Sequence, residues 1–228
     1  MRLVVIIQCR LNSTRLPKKA LLDLCGKPMI DHVIERAWQI PGVDNVVLNI
    51  PHKDTELLKR PCEVYPIENQ EQDVLGSYLR IADLQQADAI MRITGDCPLL
   101  AHDASGLVVE RFKSQPLAEY VANVGTVTGE QTYTLWADGW DTEVFSIDLL
   151  RRAIWGAETL GDRQHVTTWM RKNATMTSYV HAPHDYSALK CSVDTKEDFE
   201  RVQKILTMQP GSFSYRMTWQ AWEWAGRP

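Results

Sequence analysis

Apolar runs alternate along the first half of the chain with stretches in which apolar residues recur at helical spacing. Four runs predict strands: RLVVIIQ (2–8), PGVDNVVLNI (41–50), CEVYPI (62–67) and DAIMRITGD (88–96). Two stretches predict helices: KPMIDHVIERAWQI (27–40) and DVLGSYLRIADLQ (73–85). This alternation is typical of a mostly parallel sheet with flanking helices.

The pattern is less regular beyond about residue 116. Strands are predicted in AEYVANV (118–124), DTEVFS (141–146) and TMTSYVHA (175–182). Helices are predicted in IDLLRRAIWGAE (147–158), DRQHVTTWMRKN (162–173) and SVDTKEDFERVQKIL (192–206). We expect this half to add a small antiparallel extension to the sheet, so that residues 1–228 form one α/β domain.

Composition and charge narrow the class of protein. Of 228 residues, 44% are hydrophobic and 24% are charged, as in ordinary soluble globular proteins. The first apolar run is too short for a signal peptide or a membrane span, which predicts a cytoplasmic protein with no membrane partner. The formal net charge of -4 argues against a nucleic-acid partner. Five cysteines without a C-x-x-C pair predict buried reduced thiols rather than a disulfide framework or a zinc site.

A basic segment, CRLNSTRLPKKAL (9–21), directly follows the first predicted strand. Its cations and hydroxyls are Arg10, Ser13, Thr14, Arg15, Lys18 and Lys19. Ligands of open α/β sheets bind beyond the carboxyl ends of the strands, so cations here indicate an anionic ligand such as a polyphosphate. The segment has neither the P-loop nor the dinucleotide glycine pattern. Taken alone, a solvated basic turn explains it equally well.

Two aspartates are candidates for a metal site beside such a ligand. Asp96 follows a predicted strand in RITGDCPLL (92–100), and Asp194 lies in SVDTKEDFERV (192–202). A carboxylate at the carboxyl end of a strand, next to a triphosphate, is well placed to hold Mg²⁺. The alternatives are a turn aspartate ahead of Pro98 and a helix cap at Asp194.

Six stretches together carry a resemblance to a known family: IIQCRLNSTRLPKKALLDLCGKPMIDHVIERA (6–37), EQDVLGSYLRIA (71–82), RITGDCPLL, GWDTEVFS (139–146), DRQHVTTWM (162–170) and CSVDTKEDFERV (191–202). In order and wording they resemble the spore coat polysaccharide biosynthesis protein F family. That family is similar to the 3-deoxy-manno-octulosonate and acylneuraminate cytidylyltransferases. The resemblance covers roughly residues 3 to 206, and its most specific elements are R-x-x-S-T-R-L-P-x-K and T-G-D-C-P-L.

The resemblance implies a Rossmann-like nucleotidyltransferase fold. It also implies that CMP is transferred from CTP to an acidic sugar of a surface glycan, with release of pyrophosphate. The residues implied to hold the CTP phosphates are Arg10, Ser13, Arg15 and Lys19, and the hydroxyl of Thr14 in the same segment is a further candidate. Asp96 and Asp194 would bind Mg²⁺ and, with Arg10 and Lys19, form the catalytic set. The side chains expected to bind the base or ribose are Gln70, Gln72, Asp73 and Ser77, although Asp73 also suits a helix cap.

The acceptor sugar is expected over the second half of the chain. The candidate contacts there are Asp141, Glu143, Arg163 and His165. The planar fork of Arg163 matches a sugar carboxylate bidentately. His165 is expected to bind a hydroxyl or assist its deprotonation, with a purely structural histidine as the alternative.

The resemblance divides the domain into about 1–115 for the nucleotide, about 116–190 for the acceptor and dimerisation, and 191–228 as a closing helix and Trp-rich tail. It implies a homodimer. The chain departs from the family at Lys18, where glycine is frequent, and at Cys191 and Ser192, where a bulky aromatic and a threonine are frequent. Two alternatives stay open: an enzyme for another nucleotide or a phosphorylated or phosphonate acceptor, and a catalytically silent nucleotide-binding or assembly protein.

Overall fold

The structure, a computed structural model, describes residues 1–124, 134–208 and 214–215. Within them the strands are β1 (Leu3–Gln8), β2 (Asp23–Leu24), β3 (Lys27–Pro28), β4 (Asn45–Pro51), β5 (Glu63–Ile67), β6 (Ala89–Thr94), β7 (Tyr120–Ala122), β8 (Glu143–Ser146) and β9 (Thr177–Tyr179). The helices are α1 (Met29–Trp38), α2 (Val74–Leu84), α3 (His102–Ser114), α4 (Ile147–Gly156), α5 (Leu160–His165), α6 (Thr168–Asn173) and α7 (Lys196–Met208). The tryptophans of the predicted tail lie outside the described residues.

Seven of these strands form one sheet in the order β5-β4-β1-β6-β8-β7-β9. Parallel pairing joins β5 to β4, β4 to β1, β1 to β6, and β7 to β9. Strand β8 runs antiparallel to both of its neighbours, β6 and β7. The structure therefore confirms the predicted mostly parallel sheet with an antiparallel extension, and β8 is the reversed strand.

The sheet is covered on both faces, which explains why β1 is apolar throughout. Leu3, Val5 and Ile7 pack in the core under α1, α3 and α7, while Val4 and Ile6 pack in the core under α2, α4 and α6. These five side chains are fully buried. Because successive residues of a strand face opposite sides, a strand buried on both sides needs apolar residues at every position.

Helix α1 is shorter than the pattern predicts. Lys27 and Pro28 pair with β2 in a small antiparallel sheet, so the helix begins at Met29. Its apolar face is fully buried at Met29, Ile30, Val33, Ile34 and Ala37. Trp38, which the spacing places on the same face, is 47% exposed because the helix ends there.

Other differences lie in the connections. Helix α3 was not predicted, although Ala104, Val108 and Phe112 are buried at its helical spacing. The helix predicted over 162–173 is two short helices, because Val166 between them has φ 60, a left-handed value that interrupts a helix.

Of the predicted buried thiols, Cys25 is exposed. Among the described helices, none is both long and apolar enough to cross a membrane.

Gly139 brings the turn before β8 against the segment that carries Asp194. It has φ 93, and a Cβ there would lie 2.5 Å from the backbone nitrogen of Ser192. Beside it, Asp138 accepts a backbone hydrogen bond from Cys191 at 2.7 Å. Only a glycine satisfies both the left-handed backbone and the close approach.

We predict that Gly139→Ala lowers the free energy of unfolding by about 3 kcal/mol, because backbone strain adds to overpacking against a neighbouring segment. Gly26→Ala is the matched control, since Gly26 has φ 90 but a Cβ there would meet nothing within 4 Å. The control should lose only about 1 kcal/mol. Urea unfolding measures both values, and equal losses would show that the approach to Ser192 costs nothing.

Candidate active site

The main cavity of the site has a volume of about 500 Å³ and opens at the carboxyl ends of β1 and β6. The basic segment lines it with Arg10, Asn12, Ser13, Thr14, Arg15 and Lys19. Asp96 and Asp194 line the same cavity. The fold thus brings together the residues that the sequence assigned to phosphates and to a metal, although they come from three distant parts of the chain.

The ammonium group of Lys19 joins these three parts. Its Nζ lies 3.0 Å from Asp96 Oδ2 and 3.2 Å from Asp194 Oδ1, and it donates to the carbonyl of Val193 at 2.6 Å. Arg15 adds a second cation, with Nη2 at 2.9 Å from Asp194 Oδ1. The Lys19 side chain is only 14% exposed, so this contact is sheltered from water.

The charges of this cluster stabilise one another. Burial lowers the pKa of Lys19, but Asp96 and Asp194 outweigh burial and raise it above its usual value. For Asp96, burial raises the pKa, but Lys19 and a hydrogen bond from Thr94 outweigh it and lower the pKa below its usual value. Lysine and aspartate are therefore both charged near neutral pH.

Local hydrogen bonds shape the basic segment. Asp54 Oδ2 accepts from the backbone nitrogen of Leu11 at 2.7 Å, and Ser13 Oγ accepts from that of Leu16 at 3.4 Å. Lys18 has φ 53, a left-handed conformation that glycine adopts without steric cost, and its Nζ pairs with Glu56. Lys18 therefore points its charge at Glu56 while its neighbour Lys19 enters the cavity.

The start of α7 does not use the carboxylate of Asp194 as its cap. Thr195 Oγ1 accepts from the backbone nitrogen of Asp198, and Asp198 Oδ2 accepts from that of Thr195. This reciprocal pair is a capping box, so the helix is capped one residue after Asp194. The alternative role of Asp194 as the cap is therefore taken by Thr195.

The pair of Asp96 and Asp194 fits a divalent cation. The two carboxylates already hold one cation between them, the Lys19 ammonium group. Within residues 1–124, 134–208 and 214–215, no group of three or more His, Cys, Asp or Glu side chains could hold a metal by itself. Two carboxylates completed by substrate phosphates are the usual protein site for Mg²⁺.

Glu143 lies in a buried ion cluster. Its carboxylate is 1% exposed and accepts hydrogen bonds from Arg92 at Oε2 and from Arg171 and Tyr120 at Oε1. Burial raises the pKa of Glu143, but Arg92 and Arg171 outweigh burial and lower it to about 2. Both oxygens have protein partners, so the structure gives Glu143 a role in positioning the arginines rather than the predicted contact with an acceptor.

Asp141, two residues earlier, has a different environment. Burial raises its pKa to about 6, and the nearby carboxylates Asp138 and Glu143 add to the shift. A carboxyl group with such a pKa exchanges its proton close to neutral pH. Asp141 does not line the main cavity, so its contact with an acceptor stays a prediction.

Arg163 and Asp73 pair with each other instead of facing the main cavity. Asp73 Oδ1 accepts from the backbone nitrogen of Gly76 at the start of α2, which is the predicted alternative of a helix cap. Its Oδ2 accepts from Arg163 Nη2 at 2.7 Å, and Arg163 Nη1 donates to the carbonyl of Ile154. The fork of Arg163 is therefore already occupied by groups of this chain.

The remaining predicted residues lie apart from the main cavity. Gln70 and Gln72 line a second cavity of about 280 Å³ at the ends of β4 and β5. Ser77 is 2% exposed, accepts from Asn49 Nδ2 and donates to the carbonyl of Val74. His165 is exposed at the end of α5.

A family model described as cytidylyltransferase matches residues 4–216. The chain belongs to the cytidylyltransferase family. It is therefore an enzyme of that class, and the alternative of a catalytically silent protein is set aside.

Relatives of this cytidylyltransferase agree with the family. The spore coat polysaccharide biosynthesis protein SpsF of Bacillus subtilis is 26% identical over 220 residues, which cover 89% of this chain and 85% of that protein. A cytidylyltransferase structure from Leptospira borgpetersenii has a TM-score of 0.86 at 26% identity, covering 96% and 93% of the two chains. The structure of CMP:2-keto-3-deoxy-manno-octonic acid synthetase complexed with CTP shows the same fold, with a TM-score of 0.69 at 19% identity over 92% and 100%. The resemblance seen in the motifs is thus confirmed.

Sequence reasoning missed three residues of the cytidylyltransferase that line the main cavity from within strands: Gln8, Arg92 and Thr94. A signal for one of them was present. Arg92 is a charged residue within a strand predicted to be buried, and a charge in such a place needs a partner or a ligand.

We predict that Asp141→Asn stabilises the enzyme more at pH 8 than at pH 5. A carboxyl group whose pKa is raised by folding favours the folded state at low pH, and that contribution is lost as the pH rises from about 4 to about 6. The advantage of the variant in free energy of unfolding should therefore grow by about 1 kcal/mol between pH 5 and pH 8. Urea titrations of both proteins at the two pH values measure it. An advantage that does not change with pH would contradict the raised pKa.

Proposed function

We propose that this cytidylyltransferase transfers CMP from CTP to an acidic sugar, in the presence of Mg²⁺ and with release of pyrophosphate. The observation that carries the proposal is the main cavity, in which a cationic segment faces the same space as Asp96 and Asp194. Both the triphosphate and the metal that would neutralise it have matching groups there. The related proteins include a CMP-sugar-acid synthetase and a polysaccharide biosynthesis protein, which supports an acceptor of a surface glycan pathway.

The basic segment is proposed to hold the phosphates of CTP. Arg10 and Arg15 are exposed and can reach a polyphosphate with charge-assisted hydrogen bonds, and Ser13 and Thr14 add hydroxyls. Lys19 is held in the lining of the cavity by the two carboxylates. From that position it can stabilise negative charge on the leaving pyrophosphate.

The reaction is an in-line displacement. The acceptor hydroxyl oxygen loses its proton to water and bonds to the α-phosphorus, the bond from that phosphorus to the bridging oxygen breaks, and pyrophosphate leaves with the bonding electrons. Mg²⁺ held by Asp96 and Asp194 would neutralise charge on the phosphates. Positioning and electrostatic stabilisation by the chain then provide most of the rate.

The two halves of the domain are proposed to serve different substrates. Gln70 and Gln72, in the second cavity beside β4 and β5, would contact the base or ribose. Asp141, next to β8, would contact a hydroxyl of the acceptor. A cytoplasmic homodimer, as the motifs imply, completes the proposal.

We predict that CTP with Mg²⁺ raises the melting temperature of the enzyme, whereas UTP, GTP and ATP do not. A ligand present at about 100 times its dissociation constant adds roughly 2.7 kcal/mol, which is about 5 °C or more for a domain of this size. The shift should disappear in Asp96→Asn and in Lys19→Ala, each compared with its own nucleotide-free protein.

Lys18→Ala is the matched control for Lys19→Ala. Lys18 is the adjacent lysine, but its Nζ pairs with Glu56 and it does not line the main cavity. The control should therefore keep the full CTP shift. Equal shifts with all four nucleotides would contradict the specificity for CTP, and a full shift in Lys19→Ala would contradict the role of the cavity.

A further inference from the structure

Arg92 is a cation built into the sheet at the main cavity. It belongs to β6, and it shares a face of that strand with Ile90, which packs in the core under α2, α4 and α6. Unlike Ile90, Arg92 also lines the main cavity, as does Asp96 four residues later. Its side chain is 18% exposed, so the charge is largely sheltered from water.

The ion cluster around Arg92 has two guanidinium groups for one hydrogen-bonded carboxylate. Arg92 and Arg171 share the carboxylate of Glu143, while Tyr120 contributes a neutral hydroxyl. Burial lowers the pKa of Arg92, but Glu143 outweighs burial and raises it, so the guanidinium stays charged. Glu143 therefore satisfies only part of the hydrogen-bonding capacity of the two arginines.

Part of the Arg92 guanidinium group has no hydrogen-bond partner. Nη1 donates to Glu143 Oε2 at 2.6 Å, which is the one hydrogen bond of this group within the described part of the chain. Nε is buried and donates to nothing there. An unsatisfied buried donor is costly, and a charged one more so, unless a ligand completes it.

We propose that Arg92 binds the carboxylate of the acceptor sugar through the Nη1–Nη2 edge of its guanidinium group. Glu143 uses only one of the two N–H donors of Nη1, and Nη2 has no hydrogen-bond partner among the described residues. This inference rests on the proposed function and names the residue that selects an acid. A guanidinium edge offers two parallel N–H donors, which match the two oxygens of a carboxylate.

Arg92 suits this role better than Arg163, which is the residue that the sequence predicted to bind the sugar carboxylate. Both Nη atoms of Arg163 donate to groups of this chain, Asp73 and the carbonyl of Ile154, and Arg163 does not line the main cavity. The cations of the basic segment are proposed to hold the triphosphate. Lys19 is equally sheltered, but Asp96, Asp194 and the carbonyl of Val193 take its three donors. In the described lining of the cavity, Arg92 is therefore the sheltered cation with donors to spare.

The test is Arg92→Lys, with Arg171→Lys as its matched control. Lysine at 92 keeps the charge beside Glu143 but loses the two-donor edge. Arg171 contacts the same carboxylate with Nε and Nη2, yet it does not line the cavity. A general weakening of the ion cluster would affect both variants, whereas loss of an acceptor contact would affect only the first.

Titration calorimetry reads acid binding without turnover, using 3-deoxy-manno-octulosonate and N-acetylneuraminate as probes and their methyl esters as uncharged counterparts. Wild type should bind at least one acid more tightly than its ester. Arg92→Lys should weaken that acid about 10- to 100-fold and leave the ester unchanged, because a charge-assisted bidentate contact is lost. Arg171→Lys should keep the acid affinity within about two-fold.

The proposal is overturned if Arg92→Lys binds the acid as wild type does, if both variants weaken it equally, or if wild type binds neither acid more tightly than its ester. The last comparison needs no variant, so it can overturn the proposal even where Arg92→Lys does not fold. Failure of the proposed function looks different: wild type then shows no CTP shift, while acid binding still depends on Arg92.

Discussion

The site is organised by one interaction, the contact of the Lys19 ammonium group with the carboxylates of Asp96 and Asp194. It joins the segment after β1, the turn after β6 and the turn before α7, which are far apart in the chain. Lys19 is only 14% exposed, so without the aspartates its charge would be desolvated with no partner, and without Lys19 the two carboxylates would repel each other. We propose that the same three charges receive a triphosphate and a metal, so that the contact that stabilises the site also prepares it for its substrate.

The sheet places this contact where a ligand can reach it. Parallel strands β1 and β6 are neighbours, and their carboxyl ends open on the same edge. Strand β8 then enters next to β6 in the opposite direction, so that Glu143 lies opposite Arg92. The reversed strand is what brings acidic residues of the second half against the nucleotide side of the sheet. The ion pair of Glu143 with Arg92 links β8 to β6 through a charged contact, which apolar side chains could not provide.

Some features of the fold and the site could be predicted from the sequence. They follow from burial of the sheet on both faces and from the position of ligand sites at the carboxyl ends of parallel strands. Continuous apolar runs predicted β1 and β6, and the position of the basic segment after β1 predicted that it would meet Asp96. Other features depend on contacts that no local pattern shows. The pairing of Asp73 with Arg163 joins residues on different helices, and the break at Val166 divides a segment whose composition favours one helix. The unused donors of Arg92 become visible only from the strand register that places Glu143 opposite it, and no local pattern shows that register.

We propose that Asp96 and Asp194 together hold a metal only with the phosphates of CTP. Water-proton relaxation with Mn²⁺ as the probe is the most direct measurement, since the enhancement reports metal bound to the protein. We expect a strong enhancement for wild type with CTP, a weak one without CTP, and none above the weak level in Asp194→Asn with CTP. An equal enhancement in wild type and Asp194→Asn, or one that does not depend on CTP, would contradict it.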